Sequence, residues 1–224
     1  MMTRDALMPA VPTQPPPHDT RDKILEVAEV EFARGGYSGV GMRQLAVAAG
    51  LSKSALFHHF PTKLDLYEEV VCRVLERLES GLDSGKAVLG NPVECLDAWV
   101  DSVVRTLAED APAARLLLRA LVEEDPFQGL VLEPGGVREM MPSEIRLARI
   151  LGRFRALLEG GVAAGVFRAV SVVDAVQTCI GAIVFHFASG EIGEAMIGES
   201  IFSASAVERR RKEVSEFIRR GLLA

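Results

Sequence analysis

The segment QLAVAAGLSKSALFHHFPTK, Gln44 to Lys63, constrains the fold of this chain more than any other. Met42, Leu45, Ala46 and Ala49 fall on one side of a short helix over roughly 42–49. Gly50 then supplies a turn. Ser52 is a good N-cap for a second short helix over 53–59, whose inner side is Ala55, Leu56 and Phe60. Pro61 ends that helix, because the residue before a proline is pushed out of the α region. Two short helices joined by a glycine turn and braced by an earlier helix form a helix-turn-helix unit.

The bracing helix is legible upstream. Thr20 is an N-cap, and Ile24, Ala28 and Phe32 recur every fourth residue beside Val27, so the pattern predicts a helix over 20–34. Gly35 and Gly36 stop it. Downstream, Thr62 caps a fourth helix with Asp65 three residues on, a variant of the capping-box spacing. That helix carries Leu64, Tyr67, Val70, Val71, Val74, Leu75 and Leu78 and ends near 80–85. Segments 92–109, 112–124, 143–163, 171–190 and 205–222 repeat apolar residues at helical spacing, and no alternating run bounded by hairpin turns predicts a strand. The expected architecture is therefore all-α, with about nine helices. Residues 1–19 read as a proline-rich disordered arm, 20–66 as the helix-turn-helix domain and 67–224 as a larger helical bundle; 124–142 is a long connection punctuated by proline and glycine.

Composition narrows the class. Hydrophobic residues make up 49 % of the chain but aromatics only 6 %, so aliphatic side chains must fill the core. The first 63 residues carry 7 Lys+Arg against 6 Asp+Glu, and the remainder 18 against 25, which places the acidic excess C-terminal. The three cysteines, Cys72, Cys95 and Cys179, are widely spaced and form no Cys-x-x-Cys pair, which suits a reducing cytoplasm and no zinc site. No charge-free apolar run is long enough to span a bilayer and the N-terminus has no secretory pattern, so a soluble cytoplasmic protein without a membrane partner is expected.

The outer, N-terminal side of the 53–59 helix offers Ser52, Lys53, Ser54, Phe57 and His58. Lysine neutralises phosphate or reaches guanine acceptors. Small hydroxyls fit close to base edges, and an aromatic edge packs on a thymine methyl or the sugar–phosphate wall. Lys63 at the start of the fourth helix joins backbone N–H groups in a phosphate clamp, and Arg43 early in helix two suits a second phosphate. A single lysine at a helix start is ordinarily just solvated; these gain weight because one docking geometry needs them all. His58 and His59 point about 100° apart, which does not suit one metal ion, so they read as groove or phosphate contacts, with His59 alternatively closing the helix end.

Residues 20–70 closely resemble the DNA-binding domain of the TetR (tetracycline-repressor-like) transcriptional regulators. The resemblance rests on Phe32–Ala33, Gly36–Tyr37, Arg43–Gln44–Leu45–Ala46, Ala49–Gly50–Leu51–Ser52–Lys53, and Phe57–His58–His59–Phe60–Pro61 with Lys63. It implies an all-α homodimer in which each helix-turn-helix is joined to a ligand-binding and dimerisation domain. It also implies a repressor that leaves a palindromic DNA operator when a small, apolar effector binds. Two places depart from the family pattern. Val40 and Gly41 stand where threonine or serine caps helix two and contacts phosphate, and Phe57 stands where tyrosine is usual.

The C-terminal part reads less sharply. The segment 172–190 is apolar nearly all round, as in a helix buried on most sides. The last helix carries a stripe of Val207, Val214, Phe217, Ile218 and Leu222. Both are expected to pair with their symmetry mates in a four-helix dimer interface. Cys95, Trp99, Leu118, Phe154 and His186 mix apolar walls with a few polar handles and are the candidate ligand-binding residues. No triad order, nucleotide loop or paired-carboxylate pattern stands out, so neither catalysis nor a cofactor is expected. A helical protein-binding adaptor and, further off, an all-α enzyme are the rival readings.

Overall fold

The computed structural model describes residues 17–84, 91–123 and 140–223, and among these it holds ten helices. They are α1 Pro17–Gly39, α2 Met42–Ala48, α3 Lys53–His59, α4 Lys63–Ser84, α5 Pro92–Glu109, α6 Ala111–Val122, α7 Pro142–Ala163, α8 Val172–Ala188, α9 Glu191–Ile197 and α10 Ala204–Leu222. No sheet forms among the described residues; a single antiparallel bridge joins Phe167 to Leu223. The all-α expectation holds, and α3 and α5 match their expected spans. No single described helix is long and apolar enough to cross a membrane.

Three expectations are corrected. The helix count rises from about nine to ten because α9, EIGEAMI, is only seven residues long and its Ile192 and Met196 are exposed, so it leaves no core-facing stripe to read. The arm expected over 1–19 gives way to helix at Pro17, inside which Thr20 lies; proline is tolerated in a first turn, where its missing N–H has no partner to lose. Residues 1–16 lie outside the described residues, as does most of the connection expected over 124–142. Finally, α1 does not stop at Gly35 but breaks at Gly36 and resumes to Gly39.

The break at Gly36 ties the front to the bundle. Its φ of 68° lies in the left-handed region, and helix hydrogen bonding is interrupted there. The carbonyls of Ala33 and Arg34 accept instead from Arg119 of α6, at 3.1 Å to Nε and 3.0 Å to Nη2. Glu123, paired with Arg119, accepts from the Tyr37 N–H at 3.4 Å. A Cβ on Gly36 would meet the Glu123 carboxylate at 2.6 Å and Arg119 Nη1 at 2.9 Å. Gly36→Ala is therefore expected to lower stability by about 1–3 kcal/mol, measured by denaturant unfolding. Gly39→Ala, with open space around it, serves as the control.

The long helix α4 is the spine, packing on α1, α5, α6 and α7. Its Leu66, Tyr67, Val70, Val71, Val74 and Leu75 are buried in a core that runs without interruption from Ile24 to Leu222. The ring of Tyr67 meets Phe32 edge-on at 5.0 Å and Tyr37 at 5.1 Å, fixing α1 against α4. The boundary expected between residues 66 and 67 thus falls inside one helix and one core. Across the same junction Arg77 of α4 pairs with buried Glu29 of α1 and with Asp110 at the start of α6. Asp110 stands at the N-cap position of α6 yet makes no capping bond, because its carboxylate is turned to Arg77.

Candidate nucleic-acid interface and interior cavity

The turn between α2 and α3 is built as the sequence predicts. Gly50 adopts a φ of 71°, while its N–H donates to Val47 O (3.0 Å) and the Leu51 N–H reaches back to Ala46 O (2.8 Å), closing the end of α2. Ser52 caps α3, its Oγ accepting from the Ala55 N–H at 3.2 Å. Leu45, Ala46, Ala49, Leu56 and Phe60 are buried. The core fixes which way α3 faces, and Ser52, Lys53, Ser54, Phe57 and His58 are left exposed along one side, with His59 half-buried.

That exposed side is partly preorganised. The Lys53 ammonium lies 5.5 Å from the centre of the Phe57 ring, and the Ser52 and Ser54 hydroxyls are 3.0 Å apart. The His58 and His59 rings stand 5.6 Å apart at 71°, so they do not converge on one point. Among the described residues no group of three or more His, Cys, Asp or Glu is placed to hold a metal ion. Arg43 is exposed on α2, and Gln44 beside it is tied to Glu31 of α1 at 2.6 Å. At the start of α4, Thr62 and Asp65 form the reciprocal box, with N–H···O distances of 3.0 and 3.1 Å. Lys63 is held over the Tyr37 ring, 4.3 Å from its centre. All eight residues singled out from the sequence therefore lie on the helix-turn-helix or at the start of α4.

The two departures have physical consequences. Gly41 is the N-cap of α2 and offers no side-chain cap, while Val40 is buried as a core residue. The space around Gly41 is open and its φ of −99° suits any residue. Gly41→Ser is expected to raise stability by a few tenths of a kcal/mol, roughly the difference between these residues as caps, and to strengthen DNA binding measurably in a fluorescence-anisotropy titration.

Behind the front, α4 to α8 enclose a narrow cavity of about 90 Å³. α4 contributes Val71, Leu75, Leu78 and Leu82; α5 contributes Trp99 and Val103; α6, α7 and α8 supply further aliphatic side chains. The polar residues of the lining are Ser143 and Glu144, in the first turn of α7. Of the five candidate ligand residues only Trp99 lines this cavity. Phe154 is fully buried behind it, stacked on the Trp99 ring at 3.8 Å. Cys95 and Leu118 are half-buried and lie outside the lining. His186, one turn beyond Ile183 on α8, is outside the lining and lies near Arg209 and Arg210 of α10; burial, with Arg210 and Arg209 adding to it, pushes its pKa down to about 4. The residues missed are the inner side of α4 and the Ser143–Glu144 pair. An unbroken aliphatic helix side gives no sign of whether it meets another helix or a void.

The faces expected to form a dimer are also redistributed. Val214, Ile218 and Leu222 are buried within the protomer, with α10 packed mainly on α5, and only Phe217 of that stripe's large residues is well exposed, at 69 %. In α8, Cys179, Ile183, Val184 and Phe187 are buried, whereas Val173 and Phe185 are 64 and 63 % exposed and Gln177 and Gly181 lie open between them. The helix is buried on one side, not most sides.

A helical spine carrying a helix-turn-helix at one end and an apolar cavity along its length defines a class of DNA-binding regulatory fold. Residues 24–70 match the family of bacterial regulatory proteins, tetR family, and residues 137–218 match the tetracyclin repressor-like C-terminal domain. Between them these cover more than half of the chain, and the chain belongs to the TetR family. It is 31 % identical over 102 residues to the HTH-type transcriptional activator FasR of Mycolicibacterium smegmatis, covering 46 % of this chain and 47 % of that one. It is 27 % identical over 107 residues to the HTH-type transcriptional repressor KstR of the same organism, covering 48 and 52 %. The chain thus spans about half the length of these curated relatives. The crystal structure of a TetR family transcriptional regulator, PfmR from Thermus thermophilus, is similar over 91 % of this chain and 97 % of that one, with 27 % identity and a TM-score of 0.68. These relatives are regulators of transcription.

Proposed function

We propose that this protein is a ligand-responsive repressor of transcription that acts in the cytoplasm, binding a palindromic DNA operator as a homodimer. The observation that carries this is the outward side of α3, where Ser52, Lys53, Ser54, Phe57 and His58 serve no core and face solvent together. Arg43 and Lys63 flank it as phosphate contacts, with His59 at the rim. We assign DNA binding to residues 20–66 and ligand binding and dimerisation to 67–224. The surface for a second copy is the open side of α8, from Val173 to Phe185, with Phe217 of α10.

The cavity supports a route by which a ligand acts on DNA binding. Val71, Leu75, Leu78 and Leu82 line it, and the same rigid helix begins at Lys63 beside α3. In a dimer the two α3 helices must sit about 34–36 Å apart to enter successive major grooves. A ligand that binds a differently spaced state more tightly draws the dimer into that state and off the operator; equal affinity for both states would shift nothing. Footprinting of the purified protein on the DNA flanking its own gene, at low salt and without ligand, is expected to show a protected palindrome. Absence of any protection on that DNA would sink the proposal.

A further inference from the structure

The first helix places an uncommitted cation beside the helix-turn-helix. The acidic Asp22 and Glu26 of α1 turn to Arg73 of α4, at 3.7 and 3.9 Å, while Arg21 is paired with Glu69 of α4 and lies over the Phe60 ring. Lys23 projects elsewhere. It is exposed, and its ammonium lies 3.8 Å from where a Cβ on Gly50 would stand, at the turn between α2 and α3. Ser52, the N-cap of α3, follows two residues later, at most about 7 Å away along the chain. The charge therefore sits at the end of α3 where Ser52, Lys53 and Ser54 are exposed. An exposed lysine is ordinarily just solvated or helps to cap a helix, and the second role is already filled here. The carbonyls of Leu45, Ala46 and Val47 at the end of α2 accept from the N–H groups of Ala49, Leu51 and Gly50 at 2.8–3.0 Å. Among the described residues the Lys23 ammonium has neither an ion-pair partner nor a hydrogen bond.

Resting on the regulator reading above, we infer that Lys23 is a further phosphate contact of the operator, made from α1 and outside the α2–α3 pair. A lysine in this place neutralises a phosphate of the strand that passes the start of α3 and releases its condensed counterion. It reads no base; it fixes register and adds affinity. It also puts one DNA contact on the helix that the bundle grips, through Glu29 with Arg77 and through the Arg119 bonds to the carbonyls of Ala33 and Arg34. A displacement of α1 against α3 then removes a contact as well as altering the spacing of the two recognition helices.

The test compares the full-length protein with Lys23→Gln, Lys23→Arg and Arg34→Gln by fluorescence anisotropy on a labelled duplex carrying the footprinted palindrome, from about 50 to 200 mM salt. Arg34 is the control for charge alone. It is exposed, has no ion-pair partner among the described residues, and stands on the same helix about 16 Å from Lys23, beyond the screening length of about 10 Å at 0.1 M salt. Lys23→Gln is expected to weaken binding roughly threefold to tenfold at about 0.1 M salt and to reduce the slope of log affinity against log salt by about one for each bound protomer. Lys23→Arg keeps the slope, and Arg34→Gln leaves both quantities within about twofold of the parent. Thermal melts separate this from a structural role, since a lysine that only steadied the end of α2 would lower Tm and leave the slope alone. An unchanged slope in Lys23→Gln overturns the inference, as does an equal loss in Arg34→Gln. A parent protein that binds DNA at no salt concentration defeats the regulator reading together with this one, whereas a parent that binds and a Lys23→Gln variant with the same slope defeat this inference alone.

Discussion

Lys53→Ala combined with Lys63→Ala is expected to weaken operator binding by roughly tenfold to a hundredfold and to flatten its salt dependence, the slope of log affinity against log salt falling in magnitude by about two. Each lysine is expected to neutralise one phosphate and release its condensed counterion, so the change in slope counts the phosphates no longer neutralised. The two positions are not equivalent in the free protein. Lys53 is exposed over Phe57, while Lys63 is held over Tyr37, whose ring packs on Tyr67 between α1 and α4. A stability change is therefore expected from Lys63→Ala and not from Lys53→Ala, and thermal melts of the single variants separate folding from binding. Affinity measured from about 50 to 200 mM salt decides the matter. An unchanged slope with intact folding would favour a protein-binding adaptor with a degenerate front.

The second large effect is expected where the front meets the bundle. Arg77→Met removes the partner of Glu29, which is 6 % exposed, and of Asp110. An acidic group left buried without its counter-charge is costly. Because Arg77 is about one-third exposed, the loss is expected to be about 2 kcal/mol, below the range for a fully buried pair, with Tm falling by roughly 4–8 °C. The pH dependence follows from the same geometry. Burial pushes the Glu29 carboxyl up to about 7 against the pull of Arg77. Between its ordinary value and pH 7 the folded state therefore binds more protons than the unfolded one, and this contribution to stability is lost as pH rises through that window. Without Arg77 the folded-state value moves further up, so Arg77→Met recovers more of its stability on acidification from pH 8 to pH 5.5 than the parent does. Melting both proteins at the two pH values tests this. Glu29→Gln in the Arg77→Met background is expected to remove most of the difference.

Much of the helix-turn-helix front was legible because its signals are local. Ser52 caps α3 and Pro61 ends it; Gly50 turns the chain; Thr62 and Asp65 box the start of α4. Each acts within a few residues, so the pattern alone states it, and with Leu56 and Phe60 directed inward the exposed side of α3 follows. The cavity was not legible for the opposite reason. Cys95, Leu118, Phe154 and His186 are as apolar or as sparsely polar as the residues that do line it. Whether a buried side chain meets a neighbour or a void depends on how five helices are spaced, and periodicity carries no information about spacing. The last helix shows the same ambiguity. Val214, Ile218 and Leu222 form a stripe suited equally to a partner subunit or to α5, and the fold assigned them to α5.

By itself, the sequence determined the helical class, the helix-turn-helix with the exposed side of its second helix, and the family, because capping, turn formation and amphipathic spacing act over at most a few turns of chain. Only the tertiary structure decided the rest. It broke α1 at Gly36 to accept Arg119 and Glu123, through hydrogen bonds that each span 86 residues of chain, and bound Glu29 to Arg77 across the junction. It closed an aliphatic cavity against the spine and turned Glu68 onto the first turn of α7. These features arise where side chains distant in sequence compete for the same buried donors and the same volume, and that competition is settled only when the helices pack.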